Sequence, residues 1–162
     1  MKGFFTTSLK TTNKYTQFRI PQCGACGLYK GCQSPKMPVS GKGKRKILLV
    51  GECAGRHEDK QNIQFVGDAG QFLEKCLAEV GIDMRQDCWL TNALICRTDG
   101  RNRTPTDREI SYCHPNLERT IEELNPDVII PLGAIAIKSL LGAIWKESIT
   151  PAARWHGWQI PC

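Results

Sequence analysis

The run Ile47-Leu48-Leu49-Val50, followed at once by Gly51-Glu52-Cys53-Ala54-Gly55-Arg56-His57-Glu58-Asp59, constrains this chain more than any other stretch. A short continuous apolar run ending in glycine is the usual form of a strand in a parallel sheet covered on both faces. Open α/β sheets bind their ligands outside the carboxyl ends of such strands. Two glycines, two glutamates, an aspartate and a histidine therefore fall where a site is expected. Gly51 and Gly55 allow a sharp turn and a close approach of backbone to a ligand.

The rest of the pattern extends this reading. The first strand is expected at about 46–51, and a long loop over 52–67 follows it. A helix then starts near Gly67 or Asp68, with Phe72, Leu73, Cys76, Leu77 and Val80 at helical spacing and Gly81 as its stop. A second strand covers 88–94, and a polar loop over 96–105 carries Arg97, Arg101 and Arg103. Thr106-Asp107-Arg108-Glu109 is a capping box that opens a helix to about Leu124, where Asn125-Pro126 ends it. A third strand over 127–132 turns at Gly133 into a short helix over 134–141. Strand and helix alternate throughout, which predicts right-handed crossovers and a three-layer αβα architecture around a mainly parallel sheet. Residues 1–45 read as a basic arm with a cysteine clip, and 46–162 as the α/β domain with which the arm forms one unit.

Charge is distributed unevenly. Residues 1–51 hold ten Lys or Arg and no Asp or Glu, whereas 52–162 hold twelve basic and sixteen acidic residues. Such asymmetry points to an arm that faces nucleic acid. No apolar run approaches the roughly 20 residues a bilayer span needs. The N-terminus has no apolar stretch of the kind a secretory signal carries. The expectation is a soluble cytoplasmic protein.

Nine cysteines is a high count for such a chain, and an odd number without an export signal argues against a disulfide framework. Cys23-x-x-Cys26 is a two-thiolate clip that needs two further ligands from elsewhere. Cys96 and Cys113, at the ends of a loop that goes out and returns, are candidates, and Cys32 is a third local thiol. Spacing alone does not separate zinc from iron–sulfur. Cys53, Cys76, Cys88 and Cys162 read as small packing residues.

Three motifs occur in order: Gly51-Glu52-x-x-Gly55-x-x-Glu58-Asp59, Phe65-Val66-Gly67-x-Ala69-Gly70 and Leu90-Thr91-Asn92. Together they resemble the family 4, iron–sulfur uracil-DNA glycosylases, over about Cys23 to Gly142. The resemblance implies a [4Fe–4S] cluster on Cys23, Cys26, Cys96 and Cys113, with a structural role. It also implies a pocket for a base flipped out of DNA. Such a pocket must stack on the base, read its polar edge and manage charge at the sugar. Phe65 is the implied stacking ring. Asn92 is the implied edge reader, since an amide offers both donors and an acceptor. Gly51 and Gly55 line the substrate. Glu52 lies near the attacking water, where a carboxylate orients it and stabilises positive charge on the sugar. Glu58 walls off the space of a thymine methyl group, and Asp59 holds the loop. The arginines of loop 96–105 are expected to face phosphate.

Two departures stand out. Cys53-Ala54 replaces the family's Ala-Pro, which removes a backbone restraint. The family's His-Pro-Ser motif is absent: His114-Pro115-Asn116 follows Cys113 instead, and Trp155-His156-Gly157-Trp158 resembles the segment before the motif. The chain thus reads as missing the family's last strand, with His57 and His156 as weak substitutes. The expected function is hydrolytic excision of uracil from DNA by a monomer. The alternatives are a non-catalytic iron–sulfur DNA-binding module of the same fold, or a zinc-ribbon-like accessory domain.

Overall fold

A computed structural model describes residues 18–98, 103–141 and 157. Its sheet has three parallel strands, β1 (Ile47–Cys53), β2 (Cys88–Leu94) and β3 (Val128–Pro131), in the order β2-β1-β3. The apolar run of β1 is central and buried on both faces because its alternate residues enter two different cores. Leu48 and Val50 pack with Leu117 and Ala136 on one face. Leu49 packs with Met84, Cys88 and Leu90 on the other. Burying a leucine this completely stabilises the fold by about 2–5 kcal/mol relative to alanine.

The helices are α1 (Cys23–Cys26), α2 (Arg56–Gln61), α3 (Asp68–Glu79), α4 (Met84–Asp87), α5 (Asp107–Leu124) and α6 (Ala134–Leu141). Leu117 of α5 and Ala136 of α6 cover one face of the sheet. Leu73 and Leu77 of α3, with Met84 of α4, cover the other. This is the three-layer αβα arrangement. The capping box is present at α5: Thr106 Oγ1 accepts from Glu109 N, and the Glu109 carboxylate accepts from Thr106 N. Asn125, in the left-handed conformation, ends that helix.

Two expectations need correction. The stretch 52–67 is not one long loop, because β1 continues through Cys53 and Arg56–Gln61 forms α2. A six-residue polar helix has no apolar period to reveal it, and helices this short are marginal on their own. It exists because its carboxylates bond to other segments. The apolar stripe of α3 is also narrower than its spacing implies. Leu73 and Leu77 reach the core, but Phe72 is 70% exposed and Val80 also faces outward.

Candidate functional site

Residues from three segments meet at the carboxyl end of β1. Parallel register places Gly51 beside Asn92 of β2. Because Gly51 has no side chain, Asn92 Oδ1 and the Phe65 ring both enter its space. A Cβ added there would overlap Oδ1 and lie 3.0 Å from Phe65 Cζ. Asn92 is only 5% exposed. An amide edge and an aromatic ring are thus brought together where open α/β sheets place ligands.

Phe65 adopts a left-handed backbone, φ 55°, which is sparsely populated by residues other than glycine and persists only when its surroundings impose it. Arg85 of α4 supplies that restraint: Nη1 donates to Gln64 O at 2.8 Å and Nη2 to Phe65 O at 2.9 Å. Gly70 lets α3 close against the Phe65 backbone, with which any Cβ would collide. Glu58 of α2 supplies a third restraint. Its Oε1 accepts from Val66 N at 2.9 Å and Gly67 N at 2.6 Å, and its Oε2 fills the space above Gly55. In this arrangement the Glu58 carboxylate braces the loop backbone beside Phe65.

Glu52 lies one residue beyond Gly51 on β1. Its Oε1 accepts from Ile135 N at 3.0 Å, in the first turn of α6. Gly133 makes this approach possible. Its φ of +94° suits glycine, and a side chain there would strike the carboxylate. The amino end of a helix is a favourable place for a carboxylate. Among the described residues, Glu52 Oε2 has no hydrogen-bond partner, so it can accept from a water or substrate.

Cys23, Cys26, Cys96 and Cys113 line one small cavity together with Tyr29 and Tyr112. The clip is a single helical turn closed by Gly27, whose N–H donates to Cys23 O. Gln22 N donates to Tyr112 O at 3.0 Å and holds the clip against α5. Burial pushes the Cys96 thiol up to about 12 and the Cys113 thiol up to about 11, and it raises Cys26 as well. The sulfurs also raise one another, since each would repel its neighbours when ionised. Such thiols need a bound cationic group to be held as thiolates. Among the described residues, no three His, Cys, Asp or Glu side chains form a group that could hold a metal ion. The four thiols border a shared cavity without forming such a site.

Sequence reasoning missed two donors to these sulfurs: Lys36 N–H points at Cys96 Sγ at 3.3 Å, and Asn116 Nδ2 at Cys113 Sγ at 3.5 Å. Asn116 was findable, because it sits three residues after Cys113 on the same helix face. Arg85 gave no comparable signal. Cys32 turns its sulfur toward Leu28 O and Arg97 O, at 3.3 and 3.4 Å, and lies beside Cys96 without itself lining the cavity.

Two arginines of loop 96–105 have carboxylate partners. Arg97 is 14% exposed and pairs with Asp59 at 3.9 Å. Arg103 pairs with Glu109 through both guanidinium nitrogens, which holds the Glu109 carboxyl at about 2. Both guanidinium groups are already held by carboxylates, and Arg101 lies outside the described residues. His114 is buried in α5, with Nδ1 3.3 Å from Ser139 Oγ and Nε2 3.1 Å from Glu118 Oε1, out of hydrogen-bond alignment. His57 is exposed on α2, and His156 lies outside the described residues.

The family model of the uracil DNA glycosylase superfamily matches residues 38–159. Among curated relatives, the type-4 uracil-DNA glycosylase of Archaeoglobus fulgidus is 40% identical over 131 residues, covering 81% of this chain and 64% of the relative. That of Pyrobaculum aerophilum is 38% identical over 129 residues, covering 80% and 64%. That of Thermotoga maritima is 41% identical over 134 residues, covering 82% and 67%. The chain therefore spans about two thirds of the length of these relatives. The matched region includes the strand ends that bring Gly51, Asn92 and Phe65 together, and on that basis the chain belongs to the uracil-DNA glycosylase superfamily, among its type-4 members.

Proposed function

We propose that the chain binds DNA containing uracil and hydrolyses the N-glycosidic bond of deoxyuridine, as the first step of base excision repair. The meeting of Asn92, Phe65 and Gly51 at the end of β1 carries this reading. In it, the flipped uracil stacks on Phe65. The Asn92 amide, nearly removed from water, pairs with the base's polar edge, where a fixed hydrogen-bonding group discriminates strongly. Gly51 leaves the space that brings ring and amide side by side. Gly55 keeps the turn close to the Glu58 carboxylate. Glu52 Oε1 is fixed by Ile135 N, and its other oxygen orients the attacking water beneath the sugar.

Glu58 acts through the backbone: it holds Val66 and Gly67, and so the position of Phe65. Asp59 ties this helix to the arm. The basic arm adds sequence-independent attraction to phosphate.

Cys23, Cys26, Cys96 and Cys113 are the proposed ligands of a [4Fe–4S] cluster. Their shared cavity, their number and the N–H donors aimed at two of the sulfurs suit a thiolate-held cluster. When bound, it supplies structural bracing and draws the buried thiols into the ionised form. Glycosidic hydrolysis needs no electron from it.

The test is release of uracil from a uracil-containing oligonucleotide by cluster-loaded protein, alongside N92A. Release that N92A abolishes is the expected result. Unchanged release by N92A would overturn the pocket assignment. Salt-sensitive DNA binding with no release would replace the enzyme with a binding module.

A further inference from the structure

Two adjacent carboxylates of α2 act in opposite directions. Glu58 holds the amides of Val66 and Gly67, beside the stacking residue Phe65. Asp59, 4% exposed, holds the amides of Gln33 and Ser34 at 3.2 and 2.9 Å, directly after Cys32. Arg97, the residue after Cys96, brings its guanidinium within 3.9 Å of the same Asp59 carboxylate. A six-residue helix therefore touches the base pocket through one side chain and, through the next, both the arm segment after Cys32 and the residue that follows the cavity-lining Cys96. Gln64 makes a separate link, to Pro38 and Ser40, but it reaches only the connector beyond the cysteine clip.

We propose that Asp59 is a positioning residue that couples the cysteine arm to the base pocket, so that occupation of the pocket restrains the arm. This rests on the uracil-DNA reading of the pocket and the cluster reading of the cysteines. Coupling of this kind is reciprocal: if an ordered arm favours base binding, then a bound base must favour the ordered arm. A rigid helix with satisfied bonds on both sides can transmit such a bias, whereas a solvated loop dissipates it.

The test uses the cluster-loaded chain. An iron chelator is added, and bleaching of the visible absorbance is followed with and without a saturating oligonucleotide carrying 2′-fluoro-deoxyuridine, which binds but resists cleavage. The oligonucleotide is expected to slow bleaching at least about fivefold in the unaltered chain, the lower end of usual coupling strengths. In D59N, one acceptor is replaced by a donor facing an N–H, and protection is expected to fall below about twofold at saturation. Simple shielding of the cavity by DNA would persist in D59N, so equal protection in the two proteins overturns the proposal. Absence of protection in the unaltered chain also overturns it.

Should D59N take up no cluster, R97K is measured in its place. It leaves the amide bonds from Gln33 and Ser34 to Asp59 intact and alters the ion pair, and a partial loss of protection is expected, with full protection counting against the proposal. Uracil release by the unaltered chain, measured separately on ordinary deoxyuridine DNA, reports on the enzymatic reading independently of this coupling.

Discussion

Substituting Gly51 with alanine separates the pocket from the fold more sharply than any other change. One methyl group is added at a strand position whose φ lies outside the left-handed region, so the backbone accepts it. The added Cβ would overlap Asn92 Oδ1 and press on the Phe65 ring at 3.0–3.2 Å. Overpacking of this size costs about 1–3 kcal/mol. The reduced entropy of the unfolded chain returns about 0.4–1 kcal/mol. Net destabilisation is thus about 0–2.5 kcal/mol, which leaves a folded protein. The effect on catalysis is larger. Relieving the overlap moves the Asn92 amide by about an ångström, and misplacement on that scale lowers rates about a hundredfold. Thermal unfolding and single-turnover uracil release, measured on the same preparation, test this. A folded G51A that retains kcat/KM within about twofold of the unaltered chain would refute the reasoning that Gly51 exists to admit Asn92 and Phe65.

Other substitutions address the supports of the site. E58A strips the acceptor from Val66 N and Gly67 N and should destabilise the chain by about 1–3 kcal/mol per orphaned group, with a matching fall in uracil release; an unchanged melting temperature would show that the loop does not depend on Glu58. C96S should reduce bound iron and visible absorbance, and chelation of the unaltered chain should lower its melting temperature, since metal binding and folding are linked. The Glu109 carboxyl is held at about 2, below its ordinary 4.5, first by the Arg103 hydrogen bonds. A depressed carboxyl contributes stability that is complete above 4.5 and lost as pH falls toward 2. E109Q should therefore flatten the stability profile over that window, by about 1–2 kcal/mol once screening around the partly exposed Arg103 is allowed for. Stability profiles that overlay from pH 5 to 2 would contradict the assignment.

Legibility in the sequence followed the range of the forces involved. Strand, glycine and capping signals act over a few residues, and they located β1, β2 and the start of α5. The parallel sheet follows from strand–helix alternation, and the site follows from the carboxyl end of its central strand. The cysteines were visible as ligand candidates because thiolate chemistry depends on residue type. Other features depend on contacts between distant segments. Nothing in Arg56–Gln61 marks it as a helix, because its stability comes from Glu58 and Asp59 bonding to backbone far away in the chain.

The arginines of the loop after Cys96 looked like phosphate contacts by composition. Only packing against Asp59 and Glu109 gives Arg97 and Arg103 their partners. The sequence by itself determined which residues were available for chemistry and which strand end would gather them. The tertiary structure decided which carboxylate is presented and which braces the backbone: Glu52 is anchored by one oxygen at the start of α6, while Glu58 is taken up by the amides of Val66 and Gly67. The physical reason is that a side chain's type sets what it can bond, but only the folded positions of donors and acceptors set what it does bond.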